Sequence, residues 1–415
     1  MKINKPFIAL VALLATVLPN ADAQNSVISP YSRFGYGLLS EQSNAMQRSM
    51  GGVGYAMRSG REINFMNPAS YAAMDSLTFL FDMAVDAKSL KSKEGDIKGD
   101  NFTGGLDYIT MQVPITKWLG ASAGLIPFSE VGYTFSSDIT NGQNSRQGSG
   151  GFNELYVGFG ARPLTGLSVG LNVSYLFGTL VNSTYVYATN ATTSLFERQV
   201  EVRDYRLRFG VQYGRMFGKD HYVTVGAVYS PKKSFHGHAY GIKYDVSTDA
   251  LPDTISDINL RGNAQMAETW GLGVNYKWQD RVMAEIDFTY QPWKNVKAAR
   301  VEGFDNTSIF NNRWRVGVGA QYVHRSRGSW LQRVNYRVGA FYCNDYIKVG
   351  DNSVRERGVS VGFGLPAPAA KTMINLGFEF RNRQAHPQPM VKENYFVMTL
   401  GINFNQVWFW RNKIR

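Results

Sequence analysis

The chain has one cysteine, Cys343, so an intrachain disulfide framework is excluded. It has no uninterrupted apolar stretch long enough for a membrane-spanning helix. Histidine is scarce, five residues in all. His236-Gly237-His238 is the one close pair, and no Asp, Glu or Cys at ligand spacing supports a metal site there. A Ser–His constellation for nucleophilic chemistry is not found, so no catalysis and no cofactor are expected. Gly158-x-Gly160 and Gly271-x-Gly273 are not phosphate loops, because no helix follows them. Acidic residues are the minority: 32 Asp+Glu against 44 Lys+Arg leave a net charge of +12. A basic balance ordinarily suggests nucleic acid; export and strand patterning argue against it here.

The export signal is read from Lys2 and Lys5, the apolar run Pro6–Leu18, and Ala21-Asp22-Ala23 before Gln24. These form an n-region, an h-region and an A-x-A cleavage site. Residues 1–23 are therefore set aside, and the absence of cysteine after the cleavage point argues against a lipid anchor.

What the chain has in abundance is strict alternation. In Arg281–Trp293, Val282, Ala284, Ile286, Phe288 and Tyr290 share one face, while Met283, Glu285, Asp287, Thr289 and Gln291 share the other. Successive strand side chains point to opposite faces, so one face is apolar and the other wet. About fourteen such segments follow one another, near 76–88, 103–114, 118–136, 150–161, 166–180, 203–216, 221–231, 266–278, 281–292, 311–323, 333–346, 354–365, 371–382 and 393–404. The expected fold is an all-β, transmembrane antiparallel barrel with lipid outside and a polar lumen inside. Connections alternate between long (89–102, 137–149, 181–202, 232–265, 293–310) and short, as outer-membrane barrels alternate extracellular loops with periplasmic turns. The terminal stretch 405–415 carries Trp408, Phe409 and Trp410 beside Arg411, Lys413 and Arg415, a composition suited to a membrane interface.

Residues 24–75 lack the barrel period. A short helix is expected to start near Ser40-Glu41-Gln42 and stop at Gly51-Gly52. This glycine-rich segment, with GGVGYA and then NFMNPASYA directly before the strands, resembles the FadL/TodX outer-membrane transport family. The resemblance implies that residues 24–75 plug the barrel and that Asn67, Pro68 and Ala69 join plug to first strand. It also implies a kink in strand three that opens the wall sideways; Pro127, mid-strand, is the candidate, a bulge being the alternative. The SRFG–YG opening and aromatic-basic tail are similar to Bacteroidota versions of the family. Those include partners of protein secretion and FadL-like accessory subunits of the barrel-assembly complex.

The expected inward charges are Arg206, Arg208, Glu285, Asp287, Arg313, Arg315, Arg337, Glu379 and Arg381. Glu285 and Asp287 are placed to pair with Arg313 and Arg315 on the neighbouring strand. Two readings stand: an ion-pair network that grips the plug, or an Arg cluster for a ligand carboxylate or phosphate. Phe34, Tyr36, Met50 and Phe65 are candidates for an apolar ligand pocket. The net positive charge suits lipid phosphate, on lipopolysaccharide or on phospholipid head groups. The basic turn residues (Lys117, Arg162, Lys219, Arg281, Arg325, Arg327, Lys371) suit inner-leaflet phosphates, a periplasmic partner being the alternative. Two functions follow: passive uptake of a fatty-acid-like molecule, or a non-transporting scaffold within an outer-membrane protein complex. No nucleic acid is expected.

Overall fold

A strand wet on one face and apolar on the other can bury its backbone hydrogen bonds in lipid only by closing into a ring. The computed structural model, which describes residues 29–189, 192–245, 253–301, 309–367 and 371–407, shows that ring. Fourteen antiparallel strands form it: β1 (Thr78–Glu94), β2 (Ile97–Pro114), β3 (Leu119–Ile139), β4 (Gly142–Leu164), β5 (Leu167–Ala188), β6 (Ser194–Phe217), β7 (His221–Ser230), β8 (Thr269–Trp278), β9 (Val282–Gln291), β10 (Arg313–Val323), β11 (Asn335–Val349), β12 (Asn352–Pro366), β13 (Met373–His386) and β14 (Lys392–Val407). Strand β14 pairs with β13 on one edge and β1 on the other, which closes the cylinder. The signal peptide and the aromatic tail from residue 408 onward lie outside the described residues.

The expected parity holds along β5, β8, β9 and β13. It breaks at Asp107–Tyr108 in β2, at Phe128–Ser129 in β3 and from Cys343 onward in β11, where consecutive residues are buried. Along β8, Trp270, Leu272, Val274, Tyr276 and Trp278 are exposed, and Asn275 between them is buried. On β9, Ile286 and Phe288 face outward while Glu285 and Asp287 are buried. These outward residues form an apolar belt around the cylinder, as an outer-membrane barrel requires.

The short turns fall where expected; three of the long loops do not. Stretches 89–102, 137–149 and 181–202 are mostly strand, so β1–β2 and β3–β4 turn over at Gly95-Asp96 and Thr140-Asn141. Likewise 237–245 pairs with 194–202 at the top of β6 and with 253–259. Above the bilayer both faces of a ribbon meet water, so the alternation that marks a lipid-facing strand is lost.

Residues 30–75 carry short elements only: one two-residue strand, Leu38–Leu39, a single helical turn α1 (Ala45–Arg48) and two short 3₁₀ turns. The helix begins later than expected. Its cap is Asn44, whose side chain accepts from Gln47 N while Gln47 Oε1 accepts from Asn44 N, a complete capping box. Asn67 caps the Pro68–Ala73 turn in the same way, accepting from Ala69 N at 3.1 Å.

Candidate functional site

Inward-facing glycines give the N-terminal segment its seat. A methyl group added at Gly160 would lie 2.5 Å from Pro68 O, and one at Gly273 would lie 2.9 Å from Tyr55 Cβ. Equivalent additions at Gly317 and at Gly401 would meet Gly51 O at 2.9 Å and Ala45 Cβ at 2.5 Å. These glycines belong to β4, β8, β10 and β14, so the segment touches inward faces on several sides of the cylinder. Gly158 and Gly271, singled out in the sequence, both come up against this segment, at Tyr71 and Tyr55.

Inward carboxylates then hold the segment's backbone. Asp287 Oδ2 accepts from Gly54 N at 2.6 Å and Tyr55 N at 3.0 Å, and Glu285 Oε1 accepts from Ala56 N at 2.8 Å. This corrects the expected pairing of Glu285 and Asp287 with Arg313 and Arg315. Register is the reason: Glu285 stands opposite Gly319 and Asp287 opposite Gly317, whereas Arg315 stands opposite Thr289. The two carboxylates face glycines, and the backbone of the N-terminal segment fills that space.

Arg315 turns to the segment instead. Its Nη2 donates to Gly51 O and to Glu41 Oε1, both at 2.8 Å, and its guanidinium lies 4.5 Å from the Phe341 ring centre. Arg313 reaches Gln291 Oε1 at 3.4 Å. Glu41 is the hub: Arg381 stands 3.7 Å from its other oxygen. Burial alone would push the Glu41 carboxyl up, but Arg315, Arg381 and Arg48 outweigh it and hold it at about 2. Arg381 also pairs with Glu379 and with Glu356. Arg206 pairs with Glu154 at 2.9 Å; Arg208 donates to Phe65 O at 3.0 Å and to Gln42. Arg337 donates to Gln321 and Asn375, each at 2.7 Å.

Ten members of this network were not among the expected inward charges: Glu41, Arg48, Asp86, Lys88, Asp107, Glu130, Glu154, Glu356, Arg383 and Glu393. Arg48 pairs with Asp107 at 2.6 Å; Arg383 bridges Glu356 at 2.7 Å and Glu393 at 3.4 Å. Strand parity could have found Glu154 and Glu356, which alternate with outward residues. Nothing local marks Glu41 or Arg48.

The four pocket candidates do not meet. Tyr36 sits in a large apolar cluster with Phe152, Phe235, Trp293, Phe310 and Tyr346, and Phe34 packs on its margin. Met50 packs with Met46, Val53, Met57 and Met283, and Phe65 with Tyr71, Tyr108 and Tyr156. They fall in three clusters because the segment folds through the lumen rather than lining one side of it. The cavities beside the segment at mid-barrel are about 90 Å³ and about 60 Å³. The first is lined by Arg206, Arg208, Arg313, Arg315 and Glu41. His236 and His238 meet different carboxylates, Asp204 and Asp257, each at 2.9 Å.

Around Pro127 the wall changes. The β2–β3 ladder runs only from Pro114↔Gly120 to Ile109↔Leu125, and β3 carries a bulge between Pro127 and Ser129. Above that point the edge of β3 is taken by the N-terminal segment. Leu38 and Leu39 pair with Glu130 and Ser129, Ser40 N donates to Phe128 O, and Ser29 N to Gly132 O. A seam therefore separates β2 from β3 in the upper wall.

The sequence model of the family described as BamG matches residues 3–415. No curated protein matches the chain. Among solved structures, a Pseudomonas aeruginosa FadL homologue is similar at TM-score 0.63 and 13% identity, over 89% of this chain and 99% of that one. The P. putida toluene transporter TodX gives 0.61 and 14%, over 89% and 100%. The CymD monoaromatic hydrocarbon channel gives 0.57 and 13%, over 88% and 97%. At such identities the likeness establishes the fold, a FadL-type barrel.

Proposed function

The chain belongs to the BamG family, and on that premise we propose that it is a non-transporting, FadL-like subunit of an outer-membrane protein assembly complex. In this reading residues 24–75 are a permanent plug, residues 76–404 a membrane-anchored scaffold, and residues 405–415 an interfacial extension. The loops and the basic periplasmic turns dock other subunits or meet lipid phosphate. The similarity of the SRFG–YG opening to Bacteroidota versions of the family accords with such an accessory task.

One observation carries the proposal: at mid-barrel the space left beside the segment is too small and too charged for a hydrophobic solute, and the larger space beside residues 57–62, about 540 Å³, is lined by Arg58, Arg61, Glu62, Asp75, Lys277 and Arg281. Ligand pockets are typically ~300–1,000 Å³ and mostly apolar, whereas the mid-barrel cavity is about 90 Å³ and bears four arginines. The apolar side chains that would line a pocket pack against one another instead. Mild-detergent purification from native membranes tests this. A stoichiometric complex supports the subunit; a lone barrel carrying lipid-like density overturns it.

The seam at Pro127 favours a second reading, passive uptake of a fatty-acid-like molecule with lateral exit through the wall. Liposomes bearing wild type, Pro127→Ala or a deletion of residues 29–75 would then differ in uptake of a fluorescent fatty acid. Equal uptake by all three removes the channel.

A further inference from the structure

The two edges at the seam are not equivalent. The backbone of β3 from Phe128 to Gly132 is hydrogen-bonded from inside by the N-terminal segment, and Pro127 has no N–H to offer. The facing edge of β2, from Ile97 to Tyr108, has β1 on one side and no ladder partner on the other among the described residues.

Part of that edge lies in the apolar belt. Leu106 is 54% exposed and pairs with Val85, which pairs in turn with outward-facing Leu400. Gly104 and Gly105 precede it. A methyl group at Gly105 would meet nothing within 4 Å, and one at Gly104 would meet only β1. Strand backbone directs alternate N–H and C=O groups to each edge. Between Thr103 and Asp107 such groups lie beside outward-facing Leu106 at the level of the apolar belt, where unpaired polar groups are costly and open edges are not tolerated. On the lumen side the seam opens on the charged cavity of Lys88, Asp107 and Glu130. A glycine pair in a strand leaves room for another backbone to approach.

We infer that the outer edge of β2 over Thr103–Asp107 is a strand acceptor, which pairs in the membrane with an extended segment of a partner outer-membrane polypeptide. The chemistry selects the occupant. It must offer alternating donors and acceptors at the ~3.3 Å residue repeat of a strand. Acyl chains carry neither, and lipid esters only accept. Main-chain pairing of this kind is β-augmentation. The inference rests on the subunit reading for the presence of a partner.

Amide hydrogen exchange of the full chain tests it, comparing purified protein in lipid nanodiscs with native outer-membrane vesicles. Peptides covering 100–108 are expected to exchange about tenfold or more slowly in the native vesicles. Those covering 109–114, already paired with β3, should be equally protected in both. Equal exchange of 100–108 in the two settings overturns the inference. So does protection in nanodiscs alone, which would mean that copies of this chain pair with each other. Gly104→Pro and Gly105→Pro supply a second readout, since adjacent N–H groups point to opposite edges. Whichever variant keeps heat-modifiable migration on gels should lose the added protection, and retention of it in both folded variants also refutes the inference. Stoichiometric copurification with unprotected 100–108 would sink the strand acceptor and leave the subunit reading standing; a lone barrel would remove that reading itself.

Discussion

Replacing Asn67 with alanine removes a buried amide that works in two directions. Its Oδ1 caps the Pro68–Ala73 turn through Ala69 N at 3.1 Å. Its Nδ2 donates to Tyr55 O at 2.7 Å and approaches the barrel carbonyls Val211 O and Ala227 O at 3.2 and 3.4 Å. Loss of a cap costs about 1 kcal/mol. The donor to Tyr55 O contributes about 1 kcal/mol more, with up to another 1 kcal/mol from the two barrel carbonyls. Tyr55 O keeps Gln212 Nε2 at 3.0 Å, so it is not orphaned. The sum, about 2–3 kcal/mol, raises opening of the segment roughly 30- to 150-fold, since 1.4 kcal/mol is tenfold. Exchange of the 54–72 amides should accelerate by that factor, while the β9 and β12 amides stay unchanged. Asn67→Asp should open the segment at least as far as alanine, since the carboxylate oxygen replacing Nδ2 would face the Tyr55, Val211 and Ala227 carbonyls. A change below about threefold, or one spread evenly over the barrel, refutes the argument that Asn67 fastens the segment to the wall.

Gly170→Leu, on the β5 face against the Pro68–Ala69 backbone, should expel the segment while heat-modifiable migration persists; unchanged exchange over 54–72 would count against the seat. Glu41→Ala leaves Arg315 and Arg381 facing each other without their shared carboxylate. Breaking such a buried pair costs about 3–5 kcal/mol, so the thermal transition should fall, and Glu41→Leu with Arg315→Met should recover part of it. Because the Glu41 carboxyl is held at about 2, below its ordinary value, its contribution is present above pH ~4.5 and lost as pH falls toward 2. Glu62 has the opposite sign: burial pushes its carboxyl up to about 7 despite Arg337. Its stabilisation is complete below pH ~4.5 and disappears as pH rises through 7. Amides 58–64 should therefore loosen between pH 5 and 7.5 once intrinsic exchange is subtracted, and Glu62→Gln should abolish that dependence.

The membrane-embedded half of this fold was legible because lipid enforces the period-2 pattern; thus Ile286 and Phe288 took their expected outward faces, with Glu285 and Asp287 buried in alternation. Where water bathes both sides of a ribbon, as in 137–149, the constraint lapses and strand is indistinguishable from polar loop. Inward charges were readable by parity, their partners were not. Asp287 and Arg315 sit on adjacent strands, yet register separates them and the N-terminal backbone comes between. That segment has no period, so the roles of Glu41 and Arg48 depend on tertiary neighbours distant in sequence. The bulge alternative raised by Pro127 is present in β3; that the β3 edge is occupied from within by Leu38 and Leu39 had no local signature.

The bonds that seat the N-terminal segment also constrain how the protein comes into being. Ser29 waits for Glu393, 364 positions later, and Gly51 and Gly54 wait for Ser360 and Asp287. The residues exported first thus acquire their partners last, so the cylinder must rise around a strand of chain that has nothing yet to hold. Loop closure over such distances is slow, and until the final hairpin arrives this stretch is open to chaperones and proteases of the periplasm.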